Sequence, residues 1–461
     1  MAAIAATGRR VTRRAQPPLE HRVLMTATLL LLAYGAVMVY SASSPLGVIN
    51  GHGLGTGEFL MYLVAAGIGL VVMRVTERHG FALLTPQIVK LMLWGSFGLL
   101  LAVLVPGVGR QVLGARRWIG TSSLEFQPSE LMKLALVLYV ARYLADNPRR
   151  LDRGLKPALA PVGLVVLPAC GLIYLEPDLG TAMIVIFSMI ALLVAGGVPL
   201  KYLGICAGVG GVGLLLLILS SHYEAQRLTS FLHPWADIKT TGFQSVEGLV
   251  GVGSGGFFGV GLGQGLIKDF YLPEAQTDFI LAVVGDELGV MGIVALLVLY
   301  GMIAFAGLRT ARKAATRYAK LVATGLTALI LCQALLNIFV VLGMAPLTGV
   351  PLPFISYAPT SLIVLLASVG ILLNIARPSA RELRAVDPQA GAPRTRAGAR
   401  TSPRAERATA TATPTATAAG RGGQSTQGGG NRGERSAGAD RGGRYSGARG
   451  AGAGRGRRAV G

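Results

Sequence analysis

The stretch YLPEAQTDFILAVVGDELG, Tyr271 to Gly289, leads from a polar loop into an apolar run that continues to about Ala306. That run is long enough to cross a hydrocarbon core of roughly 30 Å. Carboxylates stand at its head (Glu274, Asp278) and again inside it (Asp286, Glu287). Ionisable groups at membrane depth are costly and as a rule face a polar cavity or a partner, so the segment reads as both a span and a site. On a continuous helix, Asp278, Ala282, Gly285 and Gly289 share one face. That face carries one acid and then only small residues. Either a second helix packs closely there, or a ligand lies beside Asp278.

Working outward, about ten apolar runs of spanning length appear, roughly at 23–40, 58–75, 88–106, 129–145, 157–175, 179–196, 200–220, 278–306, 321–343 and 354–376. The chain is 52% hydrophobic with a mean hydropathy of +0.56. The expected fold is an all-α polytopic membrane bundle, because lipid tolerates only segments that satisfy their own backbone hydrogen bonds. The first run is too long for a removable signal peptide and lacks a small-residue cleavage site. Three parts follow: a basic N-terminus 1–22, a bundle 23–376 with a long loop 221–277, and an Arg/Gly/Ala-rich tail 377–461. Cys170, Cys206 and Cys332 fall inside apolar runs and are expected as buried free thiols.

Basic residues beside the spans set the expected orientation. They crowd before the first run (Arg9 to Arg22), in the second, fourth and eighth loops (Arg74 to Lys90, Arg142 to Lys156, Arg309 to Lys320) and after the last run. Both termini are then cytoplasmic. Two outer loops break the bias: one holds Arg110, Arg116 and Arg117, the other Arg227, Lys239 and Lys268. Positive charge kept outside suggests an anionic ligand, with lipid headgroups as the plainer alternative.

From about Pro378 the chain has almost no large apolar side chains and is expected to be disordered. It supplies more than half of the net charge of +21. A cytoplasmic polybasic tail suits anionic membrane lipid or an acidic partner, and no folded reader domain accompanies it to argue for nucleic acid.

Several constellations carry candidate chemistry. In GARRWIGTSSLEFQPSELMKLAL (Gly114–Leu136), Pro128 and Ser129 suit a helix's first turn, where proline loses no bond and serine can cap. Glu130 and Lys133 lie one turn apart and can pair. Arg116 and Arg117 can grip a phosphate, and Trp118 can stack on a sugar or anchor the loop at the interface. In LEPDLGTAM (Leu175–Met183), Asp178 fits an N-cap, whereas Glu176 has no such role and with Asp278 can share a divalent cation, Mg or Mn. The glycine-rich VGSGGFFGVGLGQG (Val252–Gly265) lacks the strand–turn–helix context of a nucleotide loop. It reads as a flexible or re-entrant segment whose amides can approach a diphosphate. NIFVVLGMAPLTGVPLPFISYAPTSL (Asn337–Leu362) is rich in Pro and Gly and suits a rigid cavity wall.

Over residues 23–376 these motifs, in this order, resemble the SEDS family of FtsW, RodA and SpoVE: MVYSAS at 38–43, GARRWI at 114–119, FQPSELMK at 126–133, EPDLGTA at 176–182, LPEAQTDFI at 272–280, GDELG at 285–289 and NIFVVLGMAPLTGVPLPFISY at 337–357. The stretch from Arg227 to Ala275 is nearer the FtsW type. The resemblance implies a glycosyltransferase of the bacterial plasma membrane, acting at the division septum, that polymerises lipid II with release of undecaprenyl diphosphate. Its implied partners are a class B penicillin-binding protein and other divisome proteins. The family's required aspartate falls on Asp278, and its implicated tryptophan on Trp118. Arg116, Arg117, Arg227 and Lys268 are candidates for the diphosphate, and Lys133 and Glu274 are further candidate substrate contacts. Two departures stand out: Gln276 where the family usually has histidine, and Ala358 and Pro359 in place of two glycines. A lipid II flippase and a non-catalytic division scaffold are the alternative readings.

Overall fold

The structure is a computed structural model that describes residues 17–49, 56–112, 115–121, 124–148, 155–220, 222–236, 242–265 and 275–377. The expected tail falls outside these residues, as does the separate unit Pro393–Gly461. Twelve helices and three short strands are described. In chain order they are α1 (Leu19–Ile49), α2 (Thr56–Leu83), α3 (Pro86–Leu104), β1 (Gly109–Val112), β2 (Ala115–Thr121), β3 (Leu124–Phe126), α4 (Pro128–Asp146), α5 (Leu155–Leu175) and α6 (Leu179–Gly196). Then come α7 (Leu200–Ser220), α8 (His222–Leu232), α9 (Phe243–Ser254), α10 (Ile280–Lys313), α11 (Arg317–Val341) and α12 (Pro359–Ala376).

Among the described residues seven helices, α1, α2, α3, α6, α10, α11 and α12, are long and apolar enough to cross a membrane. Helices α5 and α7 add shorter apolar stretches. Helix α4 is as long as α3 but carries the buried Glu130 and Lys133 and is enclosed on most sides. The protein is a polytopic helical membrane protein, as the sequence predicts. The small antiparallel sheet β1-β2-β3 and the helices α8 and α9 are additions within what read as loops.

Local chemistry sets the helix ends. Thr85 caps α3, with Pro86 at its first position. Asp178 caps α6 by accepting from the Thr181 amide at 3.0 Å, and Gly197 ends that helix at φ +91. Pro128 opens α4, but the cap position is Gln127, whose side chain makes no capping bond to the helix, so Ser129 is not the cap. Pro359 opens α12, where its missing N–H costs nothing, which accounts for the departure at that position. Cys170 and Cys332 are free thiols, half-buried rather than fully enclosed; the side chain of Cys206 lies outside the described residues.

Helix α10 is broken. Gly289 has φ +64 and ψ −160, which interrupts the ladder between a buried half-helix, Ile280–Leu288, and the longer segment that follows. The glycine-rich stretch after α9 mends the gap. Val260 and Gly261 donate to the Asp286 and Glu287 carbonyls, both at 3.0 Å, while the Val290 and Met291 amides donate to Gly256 and Phe257 at 3.0 and 3.2 Å. These four groups would otherwise have bonded to one another along the helix. A Cβ on Gly289 would lie 2.5 Å from the Gly259 nitrogen, and one on Gly259 would collide with the Glu287 carbonyl. The segment is therefore a packed insert, and the expectation that its amides approach a diphosphate is corrected at Val260 and Gly261. Around it, Ser254 donates to Asp286 at 2.7 Å and Ser41 of α1 to Glu287 at 2.7 Å.

At one end of the bundle the basic residues pair with two buried acids. Glu20 holds Arg309 and Lys313, at 2.7 and 2.5 Å. Glu77 holds His21, Arg74 and Arg377, at 2.9, 2.9 and 2.6 Å. The first, second and last helices are thus joined at Glu77.

Candidate active site

Asp278 lies in the turn 275–278, before the first residue of α10. The expected helical face running from Asp278 to Gly289 is therefore not formed. Its lower part is closed by a neighbour: a Cβ on Gly285 would meet Val252 of α9 at 2.9 Å. Asp278 itself is half-buried, and Thr277 Oγ1 donates to its Oδ1 at 3.2 Å. The Asn337 amide on α11 donates to the Asp278 carbonyl at 2.7 Å and to the Val350 carbonyl at 2.8 Å.

The loop between α11 and α12 has no regular structure, so its buried carbonyls need partners from elsewhere. Four side chains on three helices, α2, α10 and α11, supply them. Tyr62 donates to Phe354 at 2.6 Å, Tyr300 to Pro353 at 2.6 Å, Gln333 to Pro351 at 3.0 Å and Asn337 to Val350. The Tyr357 amide donates to the Gln276 carbonyl at 2.9 Å, which ties the loop to the turn carrying Asp278. Burial, with Glu58 and Glu125 nearby, raises the Tyr357 hydroxyl above its ordinary pKa. These bonds pin the Pro- and Gly-rich segment on several sides.

Arg117 faces this wall from strand β2. Its Nε donates to the Glu176 carbonyl at 3.0 Å and its Nη2 to the Pro177 carbonyl, which clamps the turn between α5 and α6. Its Nη1 and the Asp278 Oδ2 converge on Gly349: a Cβ built there would lie 4.0 Å from the first and 3.8 Å from the second. Gly349 is exposed. Among the described residues, a carboxylate and a guanidinium thus border the gap over Gly349. Trp118 sits opposite Arg110 and Arg116 opposite Gln111, and the register shifts between these two pairs, at Arg117, where the alternation of side chains along β2 is interrupted. Of the two arginines expected to grip a phosphate, Arg117 is the one brought to Gly349.

Lys133 is 2% exposed, and its ammonium donates to Glu130 and Gln333, both at 2.9 Å. Gln333 in turn holds the Pro351 carbonyl, so Lys133 is linked through it to the loop that carries Gly349. Arg227 is half-buried on α8, which packs against α7. Lys268 and Glu274 lie outside the described residues.

Glu176 is fully buried and, among the described residues, neither carboxyl oxygen has a hydrogen-bond partner. Burial, reinforced by Asp178 and opposed by Arg117, pushes its pKa up to about 8. The Mg or Mn site expected from Glu176 and Asp278 does not fit these donors. Burial favours the neutral acid at Glu176, Arg117 stands beside both groups, and among the described residues no three His, Cys, Asp or Glu side chains gather. Asp178 is committed to its cap and to Gln127, which donates at 3.2 Å.

Gln333, Asn337 and Gly349 were not singled out from the sequence. The first two had a signal: two amides four residues apart on one face of an apolar span.

A broken helix, a stapled loop and a carboxylate–guanidinium gap at one end of a polytopic bundle define an integral membrane protein with a built polar site. The family model FTSW_RODA_SPOVE, described as cell cycle protein, matches residues 21–381, and the chain belongs to that family. It is 38% identical to stage V sporulation protein E of Bacillus subtilis (strain 168), covering 80% of this chain and 99% of that one. It is also 38% identical to "Probable peptidoglycan glycosyltransferase FtsW" of Geobacter sp. (strain M18), covering 77% and 95%. Among solved structures, a chain from a study of polymerization and crosslinking by a peptidoglycan synthase complex matches with a TM-score of 0.62 at 29% identity, covering 77% of this chain and 96% of that one. The rod shape determining protein RodA of Thermus thermophilus matches with a TM-score of 0.54 at 28% identity, covering 77% and 95%.

Proposed function

We propose that the protein is a peptidoglycan glycosyltransferase that polymerises lipid II into glycan strands and releases undecaprenyl diphosphate. The observation that carries the reading is the gap over Gly349, bordered by the Asp278 carboxylate and the Arg117 guanidinium. The reaction replaces an α-linked diphosphate by a β-glycosidic bond, so a single displacement with inversion suffices. The acceptor 4-hydroxyl oxygen forms a bond to the donor sugar's C1 as the C1–oxygen bond to the diphosphate breaks. Asp278 takes the hydroxyl proton as general base. Arg117, already oriented through Nε and Nη2, offers Nη1 to the charge that develops on the leaving diphosphate. Trp118, Arg116, Arg227, Lys268 and Glu274 are proposed as further contacts along the substrate.

The family membership and the FtsW and sporulation relatives support a place in septal wall synthesis in the bacterial plasma membrane, beside a class B penicillin-binding protein and other divisome proteins. The basic residues gathered around Glu20 and Glu77 support cytoplasmic termini, with the Asp278 end outside. The tail, residues 377–461, is proposed to meet anionic membrane lipid rather than nucleic acid. The deciding experiment incubates purified protein with lipid II in detergent, with and without the partner. Glycan polymer is expected, and movement of lipid II across vesicles without polymer would put the flippase reading in its place.

A further inference from the structure

We infer that Gly349 is a positioning and specificity residue: its missing side chain keeps open the gap in which a glycosyl diphosphate is held between Asp278 and Arg117. The inference rests on the glycosyltransferase reading above. Two observations carry it. A Cβ at 349 would stand 3.8 Å from Asp278 Oδ2 and 4.0 Å from Arg117 Nη1, ordinary contact distances, so a methyl there would occupy the gap without pushing either group away. The residue is exposed between a loop stapled from below and a guanidinium fixed by two carbonyls, so neither wall can retreat to make room.

Gly349 also has φ +65, a backbone region that disfavours other residues, so strain must be separated from occupancy. The chain contains its own control. Gly343 has φ +67 near the start of the same loop, and a Cβ there would meet only the flexible end of Leu249, at 3.2 Å. Asparagine provides a second handle. It enters the left-handed region more readily than alanine, yet its side chain is longer. Strain alone therefore ranks Gly349→Asn above Gly349→Ala, and a filled gap ranks it below.

The test uses the full chain in lipid nanodiscs, as wild type, Gly349→Ala, Gly349→Asn and Gly343→Ala. Thermal melting, binding of fluorescent lipid II and polymerisation kcat/KM are read for each. Gly349→Ala is expected to lose about tenfold or more in kcat/KM, Gly349→Asn more again, and Gly343→Ala little, since small displacements at a reacting centre are costly. Melting is expected to fall alike in the two alanine variants. If Gly349→Ala does not fold, Gly349→Asn carries the comparison with Gly343→Ala. The inference is overturned if Gly349→Asn binds and turns over at least as well as Gly349→Ala, or if Gly343→Ala loses as much. A wild type that binds lipid II without polymerising it would instead overturn the glycosyltransferase reading, and the binding order would still decide the role of Gly349.

Discussion

Asn337 holds Asp278 by the backbone: one amide group donates both to the Asp278 carbonyl and to the Val350 carbonyl, at 2.7 and 2.8 Å. The carboxylate and the loop that carries Gly349 are therefore fixed to the same side chain on α11. The Asn337→Ala change removes the donor from one buried and one part-buried carbonyl, at about 1–3 kcal/mol each. Lower melting is expected together with at least about a tenfold loss of lipid II polymerisation. A lowered melting point with a normal rate would show that Asn337 supports the fold but not the geometry of Asp278.

Asp278→Asn keeps the shape and removes the charge and the basicity. A general base contributes roughly 10²–10⁴-fold, so glycan synthesis should fall by at least about two orders of magnitude with expression and melting unchanged. Asp286→Asn is the comparison. Asp286 accepts from Ser254 inside the mended helix, and its loss should appear in melting first. A near-normal rate for Asp278→Asn would remove it as the base.

The Glu130–Lys133 pair is buried on both sides, at 2% exposure each. Breaking it with Lys133→Met leaves a buried carboxylate, at a cost of about 3–5 kcal/mol, whereas Glu130→Gln together with Lys133→Met should recover most of that. Denaturant titration of the single and double variants checks the ranking. A single variant as stable as the double would mean that the pair is not closed.

Glu176 makes stability depend on pH. Its folded pKa of about 8 exceeds the ordinary 4.5, so the folded state retains a proton that the unfolded state has released. Its contribution is complete below about 4.5 and is lost as pH rises through 8. Glu176→Gln removes the titration, so its gain in melting temperature should be larger at pH 8 than at pH 5. An equal gain at both values would show that Glu176 is ionised in the folded protein throughout.

Much of this was legible in the sequence because hydrophobic length alone predicts a spanning helix. All ten expected runs are helical over most of their length, with ends moved, to Ile280 and Pro359 for example, and one internal break at Gly289. Asp278 and Asp178 were legible because an acid beside an apolar run and an acid before a helix each have a local signature. The strand carrying Arg116 and Arg117, with its register shift, was not, since nothing in GARRWIG announces a strand in a helical protein. Neither was the break at Gly289. A glycine within an apolar run looks alike whether the helix continues or another segment of chain enters it, and only the four crossed hydrogen bonds tell the two apart.

That break has a mechanical consequence. Two rungs of α10 are borrowed from the stretch 256–261, so the stretch acts as a splint: lifting it away would cost the helix the same bonds that the stretch itself loses. The two cannot loosen separately. In hydrogen–deuterium exchange the amides of Val260, Gly261, Val290 and Met291 should therefore open as one group, although they are about 30 residues apart in the chain. A ligand or partner that grips the splint would stiffen the half-helix leading up to Asp278 without touching it.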